Sequence, residues 1–389
     1  MQRSNQLSYQ GQRPLYYQNA VYYKSKSVIF SRMPAARSSL IAIIDEAIKR
    51  EAADIIISFG CYPVVKANDK LVPLEQFGAL SDNDVKNILV EILPPNKASI
   101  LDKERQVDLA YVQGDARFRV NAFYQRGHVS IVMRYIRSHI RSVEELGLPE
   151  LVKDLVGNDN GLILMVGPTG SGKSTSLAAM IDHINANAAK HIVTIEDPVE
   201  YIYQNKVSLI EQREIGQDVT SFAAGLRSAL REAPDVVLVG EMRDLESIAA
   251  AITVAETGHL VLSTIHANTA PGTIDRIIDI FPEGNKSQIR VQLADILIAV
   301  LNQRLVPLAD GSGSKAFIEV MVNNSAVANS IRTGNTTQLP TVIQTSLGDG
   351  MVLLDDLLIK STRRGEITKE TALAFANNRE EVKKQLALA

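Results

Sequence analysis

Beyond residue 160 the chain alternates short, almost wholly apolar runs with longer stretches in which apolar residues recur every three or four positions. The short runs, at 162–166, 191–195, 235–239 and 259–263, predict strands, and the periodic stretches at 174–187, 220–232 and 244–256 predict amphipathic helices between them. Strands too apolar to alternate are covered on both faces, so this half predicts an α/β domain with a parallel sheet between two helix layers. After about Gly284 the pattern turns mostly helical, the apolar stretch 293–301 included, with one alternating run at 315–322.

The earlier part has a different rhythm. Leu40, Ile43, Ile44, Ala47 and Ile48 are spaced as on a helix, and alternating runs follow at 54–58, 63–66, 109–112, 117–124 and 129–135, which predicts a small α+β domain. Within Arg117-Phe118-Arg119-Val120-Asn121-Ala122-Phe123 the alternation buries one face and leaves Arg117 and Arg119 on the other. A helix is expected over 143–156, and Gly157-Asn158-Asp159-Asn160-Gly161 has the composition of a connection. The expected division is therefore a domain over 38–150, a linker over 151–160 and an α/β domain over 161–389 whose C-terminal helices begin near 285. Ahead of these, residues 1–37 hold six Lys/Arg, no Asp or Glu and five of the eleven tyrosines, without an apolar period. They are expected to be a disordered basic tail, or a stretch upstream of a start at Met33.

The run at 162–166 leads directly into Gly167-Pro168-Thr169-Gly170-Ser171-Gly172-Lys173-Ser174-Thr175, a complete G-x-x-x-x-G-K-[ST] pattern that opens a helical stretch. Glycines at these positions let successive N–H groups converge on phosphate oxygens at a helix N-terminus. Lys173 can then reach the β- and γ-phosphates and the Ser174 hydroxyl can ligate Mg²⁺, so ATP with Mg²⁺ is the expected cofactor pair.

In open parallel sheets, ligands sit beyond the carboxyl ends of the strands. There the chain places Glu196-Asp197-Pro198-Val199-Glu200-Tyr201 and Gly240-Glu241-Met242-Arg243-Asp244. Phosphoryl transfer to water needs a cation clamp, a carboxylate near the metal and a group that accepts the proton of the attacking water. Lys173, Ser174, Glu241 and Glu196 can fill these roles, and His266, just past the strand at 259–263, can sense or bond a γ-phosphate.

Composition narrows the field. A formal net charge of −3 over 389 residues gives no global argument for nucleic-acid binding, and no apolar run is long enough to span a bilayer. The single cysteine, Cys61, excludes an internal disulfide and a tetracysteine zinc module, and with no secretory signal visible a cytoplasmic protein is expected.

In order along the chain, Ala116-Arg117-Phe118-Arg119-Val120-Asn121-Ala122-Phe123, the P-loop, Thr194-Ile195-Glu196-Asp197-Pro198-Val199-Glu200-Tyr201, Leu226-Arg227-Ser228-Ala229-Leu230-Arg231-Glu232, Gly240-Glu241 and the segment ending at His266 resemble the bacterial type II/IV secretion-ATPase superfamily. Within it they are most similar to the PilT-like retraction ATPases of type IV pili. The resemblance runs over roughly 40–375 and implies a PAS-like N-terminal domain, a RecA-like ATPase domain and a helical C-terminal tail. It also implies a homohexameric ATPase motor, cytoplasmic and peripheral at the inner membrane through a pilus platform protein, with no nucleic-acid partner. On that resemblance Glu196 is the catalytic carboxylate and Glu241 ends an atypical Walker B strand. Arg117, Arg119 and Arg134 are candidates to reach nucleotide from the small domain. The missing tetracysteine module favours the retraction branch. Against it, the branch's A-I-R-N-L-I-R-E motif is here Ala326-Val327-Ala328-Asn329-Ser330-Ile331-Arg332-Thr333, and its Asp-Leu-His-Leu is Asp54-Ile55-Ile56-Ile57. An accessory pilus or secretion ATPase, a RecA-like nucleic-acid translocase and a non-hydrolysing nucleotide-binding scaffold are the competing readings.

Overall fold

The computed structural model describes residues 40–67, 70–114, 116–136 and 140–387; the expectation for 1–37 lies outside them. Six strands, β1 (Asp54–Ser58), β2 (Val64–Ala67), β3 (Lys70–Pro73), β4 (Gln106–Gln113), β5 (Ala116–Gln125) and β6 (His128–Ile136), form an antiparallel sheet in the order β3-β2-β1-β6-β5-β4. Phe118, Val120 and Ala122 of β5 point into a core shared with Leu40, Ile43 and Ile44, whereas Arg119 is exposed and Arg117 half-buried on the opposite face. Two helices absent from the sequence-based reading, Asp82–Ile92 and Pro95–Glu104, lie between β3 and β4, the first started by a capping box between Ser81 and Asp84.

The second sheet has seven strands: β7 (Gly161–Val166), β8 (His191–Glu196), β9 (Leu209–Glu214), β10 (Val236–Val239), β11 (Leu260–Ile265), β12 (Leu297–Pro307) and β13 (Ser314–Val322), in the order β13-β12-β7-β11-β10-β8-β9. All neighbours are parallel except β12 and β13, which pair as a hairpin. Every residue of β7, β10 and β11 is buried, because helices Lys173–Asn187 and Leu245–Glu256 lie in the layers that cover opposite faces. Each such apolar side chain contributes about 1.5–3 kcal/mol relative to exposure, and the β-branched residues concentrated here favour the extended backbone as well.

Three expectations are corrected. Residues 297–301, expected to be helical, begin β12; the helix Lys286–Ile296 ends at Leu297 and the chain becomes a central strand. The reason is burial of six of the strand's first seven residues, on both faces, which erases the alternation that would distinguish strand from helix. The helix expected over 143–156 is confined to Leu151–Val156, preceded by turns. That helix also occupies the first part of the expected linker, with Val152, Leu155 and Val156 packed in the core of the second sheet beside Ile163 and Met165. Helices Leu354–Arg363, Lys369–Phe375 and Arg379–Ala387 close the chain around a separate small core. No helix among the described residues is long and apolar enough to cross a membrane.

Candidate active site

Strand β7 delivers the P-loop to the carboxyl edge of the sheet. Gly167 has φ +139°, and a side chain there would run into the backbone oxygen of Gln303 on β12 and come within 2.9 Å of Ser171 Oγ. Gly172, at φ +86°, leaves room for Gln303 Nε2, which would lie 2.8 Å from a Cβ. Gln303 fills that space: its amide donates to Ser171 O at 2.7 Å and accepts from Ser176 Oγ at 2.7 Å. The loop is thus fixed from below by a residue of β12.

The face turned the other way is left unsatisfied. Gly172, as cap, offers no side chain to the helix that begins at Lys173, and the N–H groups of Lys173, Ser174 and Thr175 meet no acceptor among the described residues. The buried hydroxyl of Ser171 has no partner either. Lys173 folds its ammonium back onto Gly167 O and Pro168 O, both at 3.0 Å. Burial pushes its pKa down, opposed by Glu241 and Glu200. Converging N–H donors and a lysine satisfied only by neutral carbonyls fit a polyphosphate.

The acid clusters face this loop across one cavity of about 630 Å³, lined by Thr169, Lys173, Ser174, Glu196, Glu241 and His266 among others. Glu196 ends β8 and is 7% exposed. Its Oε1 accepts from Thr194 Oγ1 at 2.7 Å and from Gln212 Nε2 at 3.4 Å, and its Oε2 from Glu200 N at 3.3 Å. Burial raises its pKa, those three donors pulling the other way. Glu241 follows β10; Arg243 holds its Oε2 at 2.7 Å and His266 Nε2 lies 3.1 Å from its Oε1. The other nitrogen of His266 is 3.3 Å from Gly167 O, so this side chain spans the P-loop and Glu241. Ser174 is exposed and free to take a cation, whereas both oxygens of Glu241 are already engaged.

The three arginines of the small domain separate. Arg134 lines the cavity and pairs with Asp54 at 2.8 Å, a bond that raises its pKa. Arg119 sits opposite Arg134 across β5 and β6 and borders an adjoining cavity with Gly170, Thr175 and Glu200. Arg117 lies apart from the P-loop, 4.0 Å from Glu214 at the end of β9. His259 precedes its strand and bonds Val254 O and Thr257 Oγ1, a local structural role. Sequence reasoning missed Gln303, because it falls inside a strand not recognised as one; its only signal was a polar Asn302-Gln303-Arg304 step after an apolar run.

A P-loop, two strand-end carboxylates and a histidine on one edge of a parallel sheet define a P-loop nucleotide-binding protein with an added α+β domain. The family model described as "Type II/IV secretion system protein" matches residues 36–386, and the chain belongs to that family. A twitching motility protein of Neisseria gonorrhoeae is 42% identical over 346 residues, covering 89% of this chain and 92% of that one. The type IV pilus ATPase PilU of Pseudomonas aeruginosa is 39% identical over 342 residues, 88% of this chain and 89% of that one. A crystal structure of the pilus retraction motor PilT with bound ADP superimposes with a TM-score of 0.84 at 41% identity, covering 89% of this chain and 99% of that one.

Proposed function

We propose that this protein is an ATP-hydrolysing motor of a type IV pilus, acting in pilus retraction. The observation that carries the reading is the convergence of Lys173, Glu196, Glu241 and His266 on one cavity whose floor is a loop of unsatisfied N–H donors. The similarity to a twitching motility protein and to a retraction motor supports the direction of the work done.

In this mechanism Lys173 leaves its two carbonyls for the phosphates, and the N–H groups of the loop hold them in place. Glu196, oriented by Thr194, Gln212 and Glu200 N, accepts the proton of the attacking water; burial strengthens its hold on that proton. His266 and Arg243 fix the Glu241 carboxylate, and His266 reports on the phosphate through Gly167. Mg²⁺ would be held by Ser174 directly and by Glu241 through water, and when bound it neutralises charge on the transferring phosphoryl group. Arg134, with Arg119 beside it, brings positive charge from the small domain to the cavity. Its role is that of an arginine finger, in a homohexamer whose neighbouring domains move against each other. The ring works against a membrane-embedded pilus platform protein and binds no nucleic acid.

The test is complementation. In a piliated bacterium lacking its retraction ATPase, this chain should restore twitching and its Lys173→Ala variant should not. A specific observation favours a second reading, an accessory pilus ATPase. In helix Ser325–Thr333 the replaced positions Ser330 and Thr333 donate their hydroxyls to Ala326 O and Asn329 O of the same helix, and the identity to PilU is close to that with PilT. Full ATPase activity without restored twitching, unless a second retraction ATPase is present, would select that reading.

A further inference from the structure

Glu319, in the middle of β13, is 1% exposed, and no Lys or Arg among the described residues pairs with it. A buried carboxylate without a cation is costly unless several N–H donors converge on it. Here they come from separate parts of the molecule. Oε1 accepts from Ala270 N at 2.5 Å. Oε2 accepts from Leu354 N at 3.3 Å and from Asn377 Nδ2 at 3.4 Å. Asn302 is paired with Glu319 in the register of β12 and β13, and its side-chain amide is turned to Asn268 O at 2.9 Å.

Each donor lies at a joint. Ala270 begins helix Ala270–Ile280, four residues after His266, and the intervening loop is gripped at Asn268 O by Asn302 Nδ2 at 2.9 Å and Arg304 Nη2 at 3.1 Å. Leu354 begins helix Leu354–Arg363, and Asn377 lies in the link between helices Lys369–Phe375 and Arg379–Ala387. Asp355, next to Leu354, ties the same link through Asn377 N at 2.7 Å and Asn378 N at 2.8 Å. One carboxylate therefore holds the loop that carries His266 with one oxygen and the C-terminal helices with the other.

We infer that Glu319 is a positioning residue that couples the His266 loop to the C-terminal helices, so that the state of the nucleotide is transmitted to that end of the molecule. This rests on the reading of His266 as the residue facing the γ-phosphate. A purely structural carboxylate would stabilise both segments without making one respond to the other. Glu319→Gln separates the two cases: glutamine keeps the shape but offers a single acceptor oxygen where the carboxylate offers two, so it can serve one joint and not both.

The experiment is amide hydrogen exchange on the full chain with ADP and with a non-hydrolysable ATP analogue, alongside steady-state kinetics. In the unmodified chain, residues 354–363 and 376–378 should exchange differently in the two nucleotide states. Glu319→Gln should still bind both nucleotides, lose that difference, and show kcat lowered by about 2- to 30-fold with KM unchanged, the range spanned by coupling mutations elsewhere. A C-terminal difference of native size in Glu319→Gln, or none in an unmodified chain that binds nucleotide, overturns the inference while leaving the ATPase reading intact. No nucleotide binding by the unmodified chain removes both. Should Glu319→Gln fail to fold, Asn377→Ala carries the test, since it leaves the carboxylate and Ala270 in place: a diminished C-terminal difference supports the coupling, and one of native size overturns it.

Discussion

Glu196 shows how one side chain is prepared for proton transfer by its surroundings. It sits at the buried end of β8, where loss of water favours its neutral form, yet three donors keep it oriented toward the cavity. Two consequences can be measured. Glu196→Gln should bind ATP normally and lose about 10²- to 10⁴-fold in kcat, the contribution typical of a general base; unchanged turnover would move that role to Glu241. With the native residue, activity should fall on acidification with a midpoint above 4.5, the ordinary value for a glutamate, because the folded protein holds the proton more tightly. The sign for stability is opposite to that of a salt-bridged acid. The native state binds more protons than the unfolded chain in this window, so stability conferred at low pH declines as pH rises through it. A kcat profile whose acid limb lies at or below 4.5 would contradict the burial argument.

At the scale of elements, β12 is the part of the fold that explains most and was least legible. Its alternation places Gln303 under the P-loop, while Asn302 and Arg304 hold the loop that follows His266. Gln303→Ala should cost about 1–3 kcal/mol by leaving buried Ser171 O and Ser176 Oγ without partners, seen as a lower Tm, and should raise KM for ATP as the loop loosens; a shift in Tm without one in KM would confine Gln303 to packing. The strands β7, β8, β10 and β11 were readable because each is a short, mostly apolar run set off by Gly, polar or charged residues. The motif residues were readable because their chemistry is tied to fixed spacing. What escaped was set by tertiary contact: β12 follows a helix without a break in hydrophobicity, and β9, Leu-Ile-Glu-Gln-Arg-Glu, is polar enough to pass for a loop until it pairs with β8. Gln303 and Glu319 were invisible for the same reason, since a polar residue inside an unrecognised or buried strand gives no signal until its partners, distant in sequence, are known.

For the molecule as a whole, the two sheets meet around the nucleotide cavity, and charge from the first reaches into the site on the second. Arg119→Ala should slow hydrolysis while leaving Tm unchanged, because its side chain is exposed and outside the small domain's core. A rate equal to that of the unmodified protein would strike Arg119 from the finger candidates and leave Arg134. That residue is already committed: its guanidinium lies on Asp54, across the neighbouring strand β1, at 2.8 Å. A phosphate that drew Arg134 away would leave the largely buried Asp54 without that partner. The pull of Asp54 on the guanidinium would then favour the resting arrangement once the phosphate had gone, so that the small domain would hold its own bias toward reset.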